Sequence, residues 1–120
     1  MSISNYLENK IITDSISNAG KFLAAHTADP TDTGTVGEVS TLGFTRVACT
    51  FVAPTNGVTS NTADILWTGL TYVGTISHVS IWDAATGGNC LWTGALTASK
   101  TLASADELKI AASTLTITID

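Results

Sequence analysis

Charge is scarce in this chain. Only 12% of its 120 residues are charged, about half the usual ~25%, and just five of them are basic. Lys10, Lys21, Arg46, Lys100 and Lys109 stand singly. No basic stripe is available to neutralise a run of phosphates, and nucleic-acid binding is not expected. Apolar runs are short too: none approaches the ~18 residues of a membrane-spanning helix, so no membrane partner is expected. The opening MSISNYLENK has neither a basic stretch nor a continuous apolar core, and no secretory leader is read there. Synthesis and assembly in a cytoplasm are the expectation.

Reactive side chains are few. Cys49 and Cys90 lie inside apolar runs without CxxC or metal-ligand spacing, which suits two small buried hydrophobes. His26 and His78 are the only histidines, both in strand-like surroundings, and no GxSxG, HExxH, GxGxxG or P-loop accompanies them. Each reads as a hydrogen-bonded structural residue. No catalytic residue, cofactor or metal site is assigned, and an enzyme is not expected. Asp29, Asp32, Gly34 and Glu38 crowd one segment but lack the ligand spacing of an EF-hand loop; capping of turns by the aspartates is the better reading.

What is abundant is hydroxyl and apolar side chain. The chain carries 44% hydrophobic residues, with 21 Thr and 11 Ser. That length and composition fit one domain, residues 1–120, with enough apolar surface to fill a core. Threonine favours half-exposed pleated surfaces. Near the start, Ile3, Leu7 and Ile11, with Tyr6 beside them, recur at helical spacing, and Asn5 followed by Glu8 resembles a capping box. A short amphipathic helix over about residues 4–14 is predicted, with Glu8, Asn9 and Thr13 on its polar face.

From residue 21 onward the pattern is strands and turns. A strand over 22–27 leads into a long loop at 28–41, marked by Pro30, Gly34 and Gly37. Strand character returns over 42–53, and Pro54-Thr55-Asn56-Gly57 is a turn signal. Ala63, Ile65 and Trp67 alternate with Asp64, Leu66 and Thr68 in the next strand. Residues 75–83 carry large apolar groups on both faces, as a central strand does. Thr86-Gly87-Gly88-Asn89 closes a hairpin into 90–96. Residues 108–111 form another short strand, and Leu115, Ile117 and Ile119 then alternate with threonines as a half-buried strand. The fold class predicted is mainly β: an antiparallel β-sandwich or jelly-roll-like barrel of seven to eight strands over 21–120, with one short N-terminal helix.

Trp67, Trp82 and Trp92 fall within strands rather than loops. They suit a core or a subunit interface better than an exposed platform for stacking a sugar ring.

The succession FLAAHTADPTDTGTVGEVSTLGFTR, TSNTADI, ISHVSIWDAATGGNCLWTGALTASKTL and IAASTLTITID, with the opening NYLENKII, resembles a group of small tailed-phage virion proteins labelled as tail-fibre proteins. HTADPT and DAATGGN are its most specific parts. The resemblance implies a virion structural protein at the virion surface, assembled in the host bacterial cytoplasm, with no chemistry of its own. Its expected partners are other virion proteins, either the major capsid protein or tail components, and copies of itself, with a trimer the expected oligomer. A compact 120-residue domain is too small to span a fibre and shows no shaft-like repeat. The leading expectation is therefore an accessory capsid decoration, or cement, protein acting by surface burial. A small tail-fibre, collar or tail-tip piece, with a host-glycan adhesin among its forms, is the alternative. The expected docking elements are the helix, through Tyr6, Leu7 and Ile11, and the long loop, through Asp29, Pro30, Asp32, Val36 and Glu38.

Overall fold

Alternation of apolar and polar side chains becomes a set of short antiparallel strands behind a single helix. The computed structural model describes residues 3–119. Helix α1 spans Asn5–Ser15, followed by β1 (Lys21–His26), β2 (Glu38–Val39), β3 (Val47–Cys49), β4 (Val58–Ser60), β5 (Ile65–Trp67), β6 (Gly74–Trp82), β7 (Cys90–Leu102), β8 (Leu108–Ile110) and β9 (Thr116–Thr118). The predicted fold class holds: the chain is mainly β, a curled antiparallel half-barrel with one helix.

Strand β6 is central, as its two apolar faces predict. It pairs with β1, Phe22 opposite Trp82 through His26 opposite His78, and on its other side with β7. The far edge of β1 is shared. Its first half pairs with β3 and its second half with β2, so these two short strands form one edge interrupted by residues 40–46. That interruption corrects the single strand expected over 42–53. Leu42 and Gly43 have φ of 56° and 96°, values no strand residue adopts. Two further ribbons, β4 with β9 and β5 with β8, complete the half-barrel. Among the described residues the count rises to nine because β2 lies within the segment read as a loop and β4 directly follows the Asn56-Gly57 turn.

The core gathers residues from every layer: Ile12 of α1, Leu23 of β1, Ile76 and Ile81 of β6, Leu108 of β8 and Ile117 of β9 are all buried. Phe44, from the 40–46 excursion, fills the centre. Its ring lies 5.7 Å from that of Trp67 and meets Tyr72 edge-on at 5.4 Å. The indole Nε1 of Trp67 donates to the Thr45 carbonyl at 2.7 Å, so its one polar group is satisfied inside the core.

The helix sits differently from its sequence pattern. Ser4, not Asn5, caps it, its Oγ accepting from the Leu7 amide at 3.3 Å. The buried stripe is Glu8, Ile12 and Ile16, while Tyr6, Leu7 and Ile11 face outward. The seat is the Asn56-Gly57 turn. Asn9 Oδ1 accepts from the Gly57 amide at 2.8 Å, and Asn5 Nδ2 donates to Asn56 Oδ1 at 3.3 Å. Glu8 therefore lies over this turn instead of closing a capping box.

Candidate docking surface

The 28–41 segment is pinned to the sheet. Asp29 Oδ1 accepts from the Thr31 amide at 2.9 Å, the turn-capping role read from the sequence, and Thr31, Thr33 and Thr35 form a chain of hydroxyl hydrogen bonds outside it. Gly34 is buried with φ +71°, and a Cβ there would collide with Cys90 Sγ. Only glycine allows the loop to approach β7 this closely. Behind it, His26 is fully buried. Its Nδ1 donates to the Val36 carbonyl at 2.8 Å, and its Nε2 accepts from the Ser80 hydroxyl at 2.7 Å. Ser80 Oγ in turn accepts from Trp82 Nε1 at 2.7 Å. Burial holds the imidazole below its ordinary pKa, outweighing the Val36 carbonyl and the Glu38 charge, which favour the proton. A neutral ring fits this hydrogen-bond pattern.

Arg46 ties the same loop to a second one. Its guanidinium grips Glu38 with two prongs, at 2.9 and 3.0 Å, and donates to the carbonyls of Ala84 and Gly87 at 3.0 and 2.8 Å. The group also stacks 3.9 Å above the Trp82 ring. The 83–89 hairpin is closed on itself as well, since Asp83 accepts from the Asn89 amide and side chain at 2.7 and 3.0 Å. Those bonds hold the Asp83 carboxyl below the usual range. The DAATGGN hairpin and the loop that follows HTADPT, through its Glu38, thus meet at Arg46, a residue whose sequence context shows nothing beyond an isolated charge.

The candidate residues divide accordingly. Asp29, Asp32 and Val36 are exposed on the loop, Pro30 is buried beneath it, and Glu38 is held in the Arg46 pair. Tyr6, Leu7 and Ile11 form an exposed apolar stripe on α1, with Tyr6 78% accessible. Loop and helix dock on different elements, the 83–89 hairpin and the Asn56-Gly57 turn. Trp67 and Trp82 bury their rings, and Trp92 is half-buried. Cys49 and Cys90 are free thiols, and burial pushes Cys49 up to about 12. No cluster of metal-ligating side chains occurs among the described residues. A feature without a sequence signal is a groove of about 1000 Å³ between β7 and the segment from β8 into β9.

These features define a small antiparallel β half-barrel whose loops are fixed by buried polar contacts and which exposes an apolar helix stripe and, on a separate element, a hydroxyl-rich loop. The chain belongs to the Podophage GP4 fiber I protein gp80 family, whose model matches residues 2–118. It is thus one of a family of phage fibre structural proteins. No curated protein matches the chain.

Proposed function

We propose that this chain is a compact structural block of a phage tail fibre that works by burying its surface against other virion proteins. The family match over residues 2–118 carries the reading. It supports the tail-fibre alternative over capsid decoration, for which no observation speaks specifically. Shape is consistent with a block: the principal extents are 46 × 26 × 25 Å, so a fibre of greater length needs several chains. Homo-oligomerisation, with a trimer as the working model, belongs to this proposal, as do a position at the virion surface and assembly in the host cytoplasm.

The physics of low charge favours such a role. A surface of threonine, serine and alanine loses little on desolvation, whereas unpaired charges are expensive to cover. Tyr6, Leu7 and Ile11 supply apolar contact, and Asp29, Asp32 and Val36 form the rim of the loop. Pro30 and Glu38 act from within by fixing the loop's shape. Catalysis has no part in the reading, nor does glycan binding: of the three tryptophans, Trp67 and Trp82 are buried and only Trp92 is part-exposed. Particles separated into capsids and tails and probed with an antibody to this chain test it. The chain should travel with the tails, and its recovery on tail-free capsids would overturn the assignment.

A further inference from the structure

The β7–β8 groove has an unusual wall. Every residue from Gly94 to Lys100 on one side and from Glu107 to Ala111 on the other contributes to its lining. A groove over the face of a sheet meets alternate residues only, because side chains point to opposite faces. Consecutive residues on both walls mean that the groove looks onto strand edges. The pairing agrees: among the described residues β7 pairs only with β6, and β8 only with β5. In addition, residues 96–99 have no register partner on β6, where β7 bulges. The half-barrel is thus open along this line, between two rows of backbone groups that no strand covers.

We propose that this opening is an acceptor site for an extended strand from another protein of the virion. The inference rests on the tail-fibre reading for the identity of that partner. Three observations carry it. First, the free edges offer backbone N–H and C=O groups, which an added strand satisfies. Second, the space fits: roughly six residues of extended chain, at ~3.3 Å rise, ~4.8 Å between strands and ~10 Å across side chains, fill about 950 Å³, against the groove's 1000 Å³. Third, β7 is lightly protected for a long edge. Over 13 residues it has one charge, Lys100, and no proline. Apart from that lysine and its bulges it has, among the described residues, none of the charges, prolines or covering elements by which long free edges are commonly blunted.

The lining also states the occupant's chemistry. Leu108, Ile110 and Leu115 are buried at the groove's base, and Thr97, Ser99 and Thr114 stand exposed. The incoming strand should alternate apolar residues facing inward with polar residues facing out. A second copy of this chain is a poor donor, because a strand that fills the groove must be free on both edges, and every strand among the described residues already has at least one edge paired.

Hydrogen exchange read by mass spectrometry, on the full chain free and in intact virions, tests the site. Amides of residues 94–100 and 107–111 should exchange at least roughly tenfold more slowly in the particle than in the free protein. Unchanged exchange there, with protection elsewhere on the chain, would overturn the acceptor site and leave the tail-fibre reading standing. Protection that rises with the concentration of the free protein would make the occupant a second copy and overturn the assignment to another protein. Absence of the chain from virions would remove both readings. A second arm uses Ala98→Lys at an exposed edge position: the variant should fold normally by circular dichroism yet lose the protection, and a variant that keeps it contradicts the proposal.

Discussion

Arg46 and Glu38 form a two-pronged ion pair, Nε to Oε2 at 2.9 Å and Nη2 to Oε1 at 3.0 Å, with the arginine side chain only 9% accessible. The same guanidinium closes onto the 83–89 carbonyls and the Trp82 ring, so it joins the loop that carries Glu38 to the end of β6 and the hairpin that follows it. Arg46→Ala leaves Glu38 half-buried without a partner and frees two carbonyls. Destabilisation of about 2–4 kcal/mol is expected in urea unfolding. Arg46→Lys should recover only a minor part, since a point charge cannot reproduce the planar fork or the stack. Full recovery by lysine would show that charge alone matters.

The His26 contacts set a pH dependence. The ring's native pKa lies below its ordinary value of 6.5, so on acidification the unfolded chain takes up its proton first. Stability contributed by neutral His26 is fully present above about pH 6.5 and declines as pH falls toward the native pKa. Urea unfolding between about pH 8 and pH 5 should show this loss, and a His26→Gln variant should show a flatter profile. Asp83 and Asp64, whose carboxyls are also lowered, act in a separate, more acidic window below about 3.8. Equal slopes for the parent protein and the His26→Gln variant would remove the histidine from the account.

Gly57 is held at φ +74° where a Cβ would lie 2.5 Å from Glu8 Oε2 and 2.6 Å from the Ile119 carbonyl. Gly20 has a similar φ of +81° with nothing within 4 Å. Both alanine variants carry the left-handed backbone penalty, about 1–2 kcal/mol. Gly57→Ala adds a steric clash under the helix and should be the worse by about 1–3 kcal/mol. Calorimetric melting of the pair isolates that difference; equal melting temperatures would mean that the helix does not rest on this turn.

Much of the fold was legible because its signals are local. The Asn56-Gly57 turn, the two-faced apolar strand at Gly74–Trp82 and the threonine alternation before Ile119 each identify an element without reference to the rest of the chain. The helix register was not, since Ile3, Leu7 and Ile11 are as good a helical stripe as Glu8, Ile12 and Ile16; tertiary contact with the Asn56-Gly57 turn decides between them. For the residues proposed to dock, the segments were legible in the sequence but not how each side chain sits in the fold. Pro30 and Glu38 look like loop surface until the chain folds and His26 and Arg46 draw the loop inward. The groove beside β7 had no signature, because a free strand edge is a property of pairing rather than of residue type.

The exposed stripe of α1 gives a functional prediction. Tyr6→Ala, Leu7→Ser and Ile11→Ser combined leave the buried Glu8, Ile12 and Ile16 untouched, so the isolated protein should unfold within about 1 kcal/mol of the parent. Incorporation into particles, read by quantitative blotting of purified virions, should fall. Normal incorporation of the triple variant would take the helix out of the docking surface.

The central claim is that this chain is a tail-fibre block, and a cryo-EM map of the intact virion tests it most directly. The 46 Å β half-barrel should fit density in the tail fibre apparatus, in several copies with its surface covered by neighbours. Density for the chain on the capsid lattice, with none at the tail, would contradict the account.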